Sequence, residues 1–272
     1  MFNTPVFQLD NISVKLEYKN PAGSIKDRPA LFMLEDAFKK GYREIVEVTS
    51  GNTGIALAFY AQKFGIKATI FMPESFSVER QKLLKLYGAN LILTKGTISD
   101  SLNEALNYAK EKNAFYTDQF SNPLNAKSQE ITAFEILNQV KNIDCFVAGV
   151  GSGGTITGIG KILKPLGVKI IAVESINSPV IYNKLKNKHL PVKTHKIQGI
   201  GAGFITKITD LDLIDDVILI HDDEAVEFTK QLPKFGITGG ISTAANILAA
   251  KTLSGNVVTI APDGIEKYIS IL

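Results

Sequence analysis

Hydrophobic runs of strand length alternate with segments of helical periodicity through the first half of the chain. The runs EIVEVTS, KATIFMPE, NLILT and AFYTDQ predict four strands between residues 44 and 119. Helical patterns separate them at residues 54–65, 78–88 and 99–112, and the first two end at a glycine, as helices often do. A further helix is predicted directly after Lys26.

The second half repeats this alternation. DCFVAGV, VKIIAVE, DDVILI and NVVTIA predict strands, and helical patterns occur at residues 131–140, 155–167 and 242–253 and directly after DDVILI. Strands and helices that alternate at this spacing predict an α/β fold with parallel sheets. Residues 177–215 are rich in Pro, Gly, Lys and Asn and have weak periodicity, which predicts long loops.

Composition narrows the class of protein. The chain has 272 residues, enough for one large or two modest domains, and a net charge of +3 with lysines scattered among acids. This distribution excludes a basic face for nucleic acid. The one cysteine, Cys145, lies in an apolar run and is predicted to be buried in the core. With no signal-peptide pattern and no apolar run of membrane-spanning length, we expect a soluble, cytoplasmic protein.

The segments after the predicted strands are the candidates for ligand binding, because open α/β sheets bind ligands beyond the carboxyl ends of their strands. These segments are TSGNTG, DQFSNP, GSGGT and PDG, all small, polar and rich in glycine. Such sequences are typical of a backbone cradle for an anion. The three histidines have no spacing that predicts a metal site, and His195 is interpreted as a surface residue.

The loop GVGSGGTITGIG supports more than one interpretation. Backbone amides at a turn between a strand and a helix bind phosphate, and glycine allows close approach. Gly149, Gly151 and Gly154 also match the dinucleotide pattern, with Glu174 where an acidic ribose partner is expected. A glycine-rich turn that only permits helix–sheet packing is the third interpretation, and the loop alone does not separate these three.

Two other features count against a dinucleotide. TSGNTG offers hydroxyl groups beside free helix amides, which suits a carboxylate, although it could equally be a helix N-cap. Lys26 lies in the turn-rich stretch NPAGSIKDR at a predicted helix start. A dehydrogenase gives this lysine no role, whereas a phosphate-bearing aldehyde cofactor could form a Schiff base with it. The alternative is a solvated surface lysine.

The ordered motifs resemble those of one enzyme family. The cysteine synthase and cystathionine β-synthase family of fold-type II pyridoxal 5′-phosphate (PLP) enzymes has motifs similar to NPAGSIKDR, EVTSGNTGIALA, MPESFSVERQKLLKLYGANLILT, DQFSNP, GVGSGGTITGIG, HKIQGIGAGFI, GGIST and PDGIEKY. The resemblance implies the tryptophan-synthase-β-like α/β fold: two open, twisted, mostly parallel sheets flanked by helices, with the active site between two domains. The smaller domain is expected at residues 16–124 and the larger at residues 1–15 and 125–272.

The resemblance also implies a role for individual residues. Lys26 corresponds to the Schiff-base lysine, Asn52 to the residue that hydrogen-bonds the ring hydroxyl of PLP, and Ser242 to the serine that faces the pyridine nitrogen. The implied phosphate-binding residues are Gly151, Ser152, Gly153, Gly154 and Thr155. The implied substrate-binding residues, which mainly surround the substrate carboxylate, are Thr49, Ser50, Gly51, Thr53, Gln119 and Gly201.

The activity that the resemblance implies is β-replacement on an activated serine, most directly O-acetylserine plus sulfide to L-cysteine plus acetate. Lys26 would then remove the α-proton as a general base. Three activities with the same cofactor stay open: a cysteine-consuming reaction that releases hydrogen sulfide, cystathionine β-synthesis, and serine or threonine dehydration. Two further alternatives are an NAD-dependent dehydrogenase and a binding protein that kept the fold without activity.

The family also suggests partners. A homodimer is expected, and family members can accept the C-terminal tail of serine acetyltransferase in the active site. Several segments depart from the family pattern: the chain begins close to FNTPVFQL, without most of the N-terminal segment that often helps the dimer. Gln129 lies near a position where many relatives have histidine, and Gly264 and Ile265 stand where Ser and Gly are usual. These differences affect the prediction of the substrate more than the prediction of the cofactor.

Overall fold

Two β-sheets with helices on both faces form the framework of the protein. The computed structural model describes residues 2–49, 51–74, 78–95 and 98–272. The strands in this part of the chain are β1 (Val6–Leu9), β2 (Ile12–Leu16), β3 (Glu44–Val48), β4 (Lys67–Pro73), β5 (Asn90–Thr94), β6 (Phe115–Tyr116), β7 (Cys145–Gly149), β8 (Lys169–Ser175), β9 (Asp216–Ile220) and β10 (Val257–Ala261). The helices are α1 (Asp27–Lys39), α2 (Asn52–Phe64), α3 (Val78–Leu86), α4 (Ile98–Lys112), α5 (Leu124–Gln139), α6 (Gly154–Leu163), α7 (Val180–Lys186), α8 (Asp222–Gln231) and α9 (Ile241–Ala250).

The strands form one six-stranded and one four-stranded sheet. The larger has the order β1-β2-β10-β7-β8-β9, and only its edge pair, β1 and β2, is antiparallel. The smaller has the order β5-β4-β3-β6 and is wholly parallel. This arrangement confirms the predicted fold class. The division at residues 16 and 124 stays a prediction, although every strand of the smaller sheet lies within that range.

Side chains of successive strand residues pack into separate cores on the two faces of each sheet. In β7, Val147 belongs to one core while Phe146 and Ala148 belong to the other. In β3, Ile45 packs against α1 and α2, whereas Val46 and Val48 pack towards α4. Strands buried on both faces read as continuous apolar runs, which is why periodicity located them. Cys145 is buried, as predicted.

Three elements differ from the sequence-based prediction. The β1–β2 hairpin was not predicted, because β1 has only four residues; it turns at Asp10, whose φ of 52° is left-handed. Helix α5 begins at Leu124 rather than at residue 131, since its first turns bury polar side chains that hydrophobic periodicity does not detect. Helix α7 interrupts the predicted long loop at 177–215. Among the described residues, no helix is long and apolar enough to cross a membrane.

Candidate active site

Lys26 lies at the N-cap of helix α1, close to the segment that follows β10. Its carbonyl accepts the first helical hydrogen bond from the Ala30 amide at 3.0 Å, and the amide of the preceding residue, Ile25, donates to Pro262 O at 2.8 Å. Burial lowers the pKa of the Lys26 ammonium to about 8, and the nearby Asp263 carboxylate partly offsets this effect. Near neutral pH roughly one-tenth of Lys26 is therefore the uncharged nucleophile, far more than for a lysine with the ordinary pKa.

The start of α1 is fixed by a buried carboxylate next to this lysine. Asp27 accepts hydrogen bonds from the Ala22 amide at 2.6 Å and the Ser24 amide at 3.2 Å, and from the Tyr60 hydroxyl at 3.1 Å. These bonds hold the turn-rich NPAGS segment against the helix. The surface-lysine alternative for Lys26 is thus wrong, because the residue is half-buried and its ammonium is desolvated, between the buried Ser24 and Asp27.

The TSGNTG loop joins β3 to α2 and carries most of the predicted substrate contacts. Thr49 and Thr53 are buried, and the Thr53 hydroxyl donates a hydrogen bond to Gln119 Oε1 at 2.7 Å. Gln119 comes from the segment after β6, so two strand ends supply one cluster. The Gly51 amide donates to Thr49 Oγ1 at 3.2 Å. Ser50 lies outside the described residues, and its predicted role stays a prediction.

The glycine-rich loop follows β7 and leads into α6. Gly153 has a φ of 82°, and an added Cβ would lie 3.0 Å from the Thr209 Cβ, so a larger residue does not fit. Gly151 lies against the carbonyl of Gly199. No described group accepts a hydrogen bond from the amides of residues 152–155, which are the free donors at the start of a helix. These amides are available to an anion.

Asn125 connects the glycine-rich loop to the substrate-contact cluster. Its side-chain amide donates to Gln119 O at 2.8 Å and to Ser152 Oγ at 3.0 Å. On the other side of the loop, the Thr206 hydroxyl donates to Ser152 O at 2.8 Å and lies 2.8 Å from the Thr209 hydroxyl. Sequence analysis missed these three residues. The only signal for Asn125 was its nearness to the QFSNP motif.

Asp263 is a fourth residue to which sequence analysis assigned no role. Its Oδ2 accepts hydrogen bonds from Asn52 Nδ2 at 2.7 Å and from the Tyr268 hydroxyl at 2.5 Å, and its carbonyl accepts from the Gly240 amide at 2.9 Å. Asp263 therefore links Asn52, at the start of α2, to the loop before α9, and its charge acts on Lys26. The PDG segment that contains it was predicted to be a ligand-binding segment after a strand, but no role was assigned to Asp263 itself.

Ser242 and Gly201 lie beside the glycine-rich loop. Ser242 is buried in α9, and a Cβ added at Gly199 would be 3.9 Å from its hydroxyl. The Gly201 amide donates to Val150 O at 2.8 Å. His195 is not the surface residue that we predicted: its Nε2 lies 2.9 Å from Gly201 O, and its Nδ1 is buried without a partner in the described part of the chain.

These residues have the donors and acceptors that PLP requires. Lys26 offers an amine for an aldehyde, and the amides of residues 152–155 suit a phosphate dianion. Asn52 Oδ1 is buried without a hydrogen-bond partner among the described residues, a cost that a bound hydroxyl group would relieve. The Ser242 hydroxyl likewise has no hydrogen bond to any described residue. The site therefore fits this cofactor.

The same site does not fit a dinucleotide. The Glu174 carboxylate, proposed as the ribose partner, accepts hydrogen bonds from the Ile181 and Tyr182 amides, each at 2.9 Å. It caps helix α7 and is fully buried, so it has no free position for a sugar hydroxyl. Two of the glycines in the dinucleotide pattern, Gly149 and Gly154, lie instead against Ile200 and Asn125. They permit packing of the loop.

Comparison with known proteins defines the class. A profile of the family described as "Pyridoxal-phosphate dependent enzyme" matches residues 1–263. The chain is 42% identical over 293 residues to a cysteine synthase from Staphylococcus aureus, covering 98% of this chain and 93% of that protein. The chain thus belongs to the PLP-dependent enzymes, which confirms the predicted cofactor and the fold-type II assignment.

Solved structures narrow the relationship further. The crystal structure of cysteine synthase from Entamoeba histolytica has a TM-score of 0.90 and 37% identity, covering 98% of this chain and 87% of that one. A hydrogen sulfide-producing enzyme from Fusobacterium nucleatum also has a TM-score of 0.90 and 37% identity, covering 98% and 95%. The cysteine synthase family that the motifs resembled is therefore confirmed as the one to which this chain is related.

Proposed function

We propose that this protein catalyses β-replacement on an activated serine, with O-acetylserine and sulfide as substrates and L-cysteine and acetate as products. The observation that carries this proposal is the meeting of Lys26, the Thr53–Gln119 cluster and the glycine-rich loop in one site, joined by Asn125 and Asp263. That arrangement occurs in a chain 42% identical to a cysteine synthase. A β-replacement of this class uses both anion-binding loops and the half-buried lysine, whereas a dinucleotide-dependent reaction gives the lysine no role.

The cofactor would be held at both ends by groups of this chain. The amides and hydroxyls of Gly151, Ser152, Gly153, Gly154 and Thr155 would bind its phosphate. Asn52 would hydrogen-bond its ring hydroxyl, and the neutral Ser242 hydroxyl would face its ring nitrogen. When bound, PLP withdraws electrons from the substrate α-carbon, which makes the α-proton acidic and allows the β-substituent to leave.

Lys26 would then move the proton. Its Nζ accepts the α-proton as a general base and later returns a proton to the same carbon. An amine whose pKa has fallen to about 8 is well matched to this task, because it is a competent base near neutral pH. The substrate carboxylate would be held by Thr49, Ser50, Gly51, Thr53 and Gln119, with Gly201 forming part of the wall. Closure of these loops would exclude water from the reactive carbon.

The visible absorption spectrum and a cysteine assay test the proposal together. Protein purified with PLP is expected to be yellow, to change its absorption on addition of O-acetylserine, and to form cysteine when sulfide follows. The Lys26→Ala variant is expected to lose turnover by several orders of magnitude, since it loses both the base and the covalent anchor. Wild-type protein that binds PLP but forms no cysteine would contradict the choice of substrate, and full turnover by Lys26→Ala would contradict the mechanism.

A second candidate uses the same chemistry on cysteine: water or the thiol of a second cysteine would replace its sulfur at the β-carbon, so that hydrogen sulfide is released and serine or lanthionine remains. The similarity to a hydrogen sulfide-producing enzyme at 37% identity favours testing it. Steady-state rates with O-acetylserine, O-phosphoserine, serine and cysteine would rank the two, with sulfide measured as product in the last case. A kcat/KM for cysteine above that for O-acetylserine would favour the second candidate.

We extend the proposal to the organisation of the protein. Residues 16–124 are proposed to form the smaller domain and residues 1–15 with 125–272 the larger one, so that loop closure moves the carboxylate-binding residues relative to the cofactor. A homodimer is proposed, and the C-terminal tail of serine acetyltransferase is proposed to bind where the substrate carboxylate binds. Light scattering of the purified protein, and competition between such a tail peptide and O-acetylserine, test these two points.

A further inference from the structure

Glu47 is a buried carboxyl group directly beneath the substrate-contact cluster. It lies on β3 and has no exposed surface. Its Oε2 accepts hydrogen bonds from the Thr117 hydroxyl at 2.6 Å and the Gln119 amide at 3.1 Å, and its Oε1 accepts from the Val48 amide at 2.9 Å. Three donors therefore converge on one side chain, two of them from the segment that carries Gln119.

The Glu47 side chain connects the chain segments of β3 and β6 beyond the point where their backbone pairing ends. The two strands pair only at Ile45–Phe115 and Val46–Tyr116, followed by one hydrogen bond from the Thr117 amide to Val46 O at 3.0 Å. Beyond that point the chain leaves the sheet through Asp118, whose φ of 49° is unfavourable for a residue with a side chain. The Glu47 carboxylate continues the link between the two chain segments past the last backbone bond.

The link determines where Gln119 lies. The Gln119 amide is held by Glu47, its carbonyl accepts from Asn125 at 2.8 Å, and its Oε1 accepts from the Thr53 hydroxyl at 2.7 Å. With Oε1 used in this way, Nε2 is the group that can face a substrate. Its one bond in the described chain, to Val48 O, is long at 3.5 Å.

We propose that Glu47 is a positioning residue that holds Gln119 and Thr53 in the arrangement that binds the substrate carboxylate, an inference that rests on the proposed function. Glu47 does not touch the substrate. Its loss is therefore expected to weaken binding of any α-amino acid while leaving the proton transfer by Lys26 largely intact.

The ionised form of Glu47 is the one that can accept all three hydrogen bonds. Burial raises the pKa of this carboxyl to about 7, although the bonds from Thr117, Val48 and Gln119 oppose the rise. The charges that act on it in the described chain are those of Asp118 and Tyr116. On α1, which packs on this side of the sheet, Asp36 and Lys40 pair with each other and line a surface cavity beside Tyr116 and Asp118. No described cation forms an ion pair with Glu47, so protonation near neutral pH would replace an acceptor by a donor and weaken the hold on Gln119.

The test compares Glu47→Gln with a matched control, Glu44→Gln, in the PLP-loaded protein. Glu44 is on the same strand and also accepts side-chain hydrogen bonds, from Thr69 at 2.5 Å and Tyr108 at 2.9 Å, but these lie away from the site. The first readout is the dissociation constant of L-alanine, which has the α-carboxylate but no leaving group, measured by the change in cofactor absorption. Glu47→Gln should weaken alanine binding about 10- to 100-fold, because a charged hydrogen-bond acceptor is lost.

The remaining readouts separate positioning from a structural role. For Glu47→Gln, KM for O-acetylserine should rise in parallel with the alanine constant and kcat should change by less than about threefold. As pH drops below about 7, Glu47 becomes protonated in the wild type, and its affinity for alanine should fall towards that of Glu47→Gln. The variant has no carboxyl group at this position, so the ratio of the two affinities should shrink. Glu44→Gln should lose comparable thermal stability with unchanged alanine affinity.

Two results would overturn the proposal. One is an affinity of Glu47→Gln for alanine within about twofold of the wild-type value, and the other is an equal loss of alanine affinity in Glu44→Gln. If Glu47→Gln does not fold, Thr117→Val removes one of the same hydrogen bonds and should weaken alanine binding about three- to tenfold. Unchanged affinity in Thr117→Val would then overturn it. Wild-type protein that binds alanine but does not use O-acetylserine would refute the proposed function and leave the alanine comparison valid.

Discussion

Replacement of Arg28 by methionine tests how the Lys26 segment is anchored. The Arg28 side chain has no solvent exposure and makes bidentate pairs with Glu17 and Glu135, with all four N–O distances between 2.7 and 2.8 Å. It lies on the first turn of α1, two residues after Lys26, and ties this helix to the segment after β2 and to α5. Methionine keeps much of the volume and removes the charge and every donor.

The loss of folding free energy can be estimated from the buried carboxylate that would remain without its cation. Without Arg28, Glu17 remains fully buried, and its donors among the described residues are then the Thr4 hydroxyl and Asn20 Nδ2 alone, at 2.6 and 2.7 Å. Breaking one side of a buried ion pair costs about 3–5 kcal/mol. The pKa of Glu135 gives a second view of the same interaction. Although burial opposes it, hydrogen bonds from Arg28 and Lys15 lower this pKa from 4.5 to about 2, which corresponds to roughly 3 kcal/mol shared between the two cations.

Urea unfolding and thermal melting measure the effect. Arg28→Met should lower the free energy of unfolding by about 3–5 kcal/mol and the melting temperature by roughly 6–20 °C. The matched control is Lys39→Met, on the same helix, which removes an exposed pair with Glu35 and should cost less than about 1 kcal/mol. Arg28→Lys keeps the charge without the bidentate geometry and should fall between the two.

A loss in Arg28→Met no larger than that in Lys39→Met would refute the reasoning, because it would mean that the buried carboxylates do not need this cation. If Arg28→Met does not accumulate as folded protein, Arg28→Lys carries the test. Wild-type stability in Arg28→Lys would mean that the bidentate bonds do not stabilise the protein.

Three further predictions follow from other parts of the site. The rate at which apoprotein takes up PLP should rise with pH to about 8 and then level off, because the Lys26 amine has a pKa of about 8; a rate in stopped-flow absorbance that still rose towards 10.5 would contradict this. Gly153→Ala should weaken PLP binding at least about tenfold, since the left-handed backbone and the contact with Thr209 both exclude a Cβ. Fluorescence titration would measure the affinity, and an unchanged value would contradict the role of this loop in binding the phosphate. Stability should fall as pH drops from 4.5 to about 2, because Glu135, whose folded pKa is depressed, stabilises the protein fully above that range and loses this contribution within it. Urea midpoints for Glu135→Gln should show a smaller fall, since other carboxylates with lowered pKa values still titrate, and an equal fall in both proteins would exclude Glu135 as a source.

Much of the site could be predicted from residues that adjoin strand ends or helix starts. Lys26, Asn52 and the glycine-rich loop belong to short motifs with local causes, such as a helix start or a positive φ. Asn125 and Glu47 have no such pattern. They are polar residues whose role depends on partners in other elements, and Glu47 in particular would be taken for a half-exposed strand residue.

The sequence by itself determined the alternation of strands and helices, the buried apolar runs and the chemistry at the strand ends, because these depend on neighbours within about one helical turn or one strand. Only the tertiary structure decided which strand ends share a site. It alone showed that Glu174 caps α7 and is unavailable to a ribose, and that Asp263 lies beside Asn52, some 211 positions away in the chain. The physical reason is that a buried polar group must find a hydrogen-bond partner, and which partner is within reach depends on how the two sheets come together.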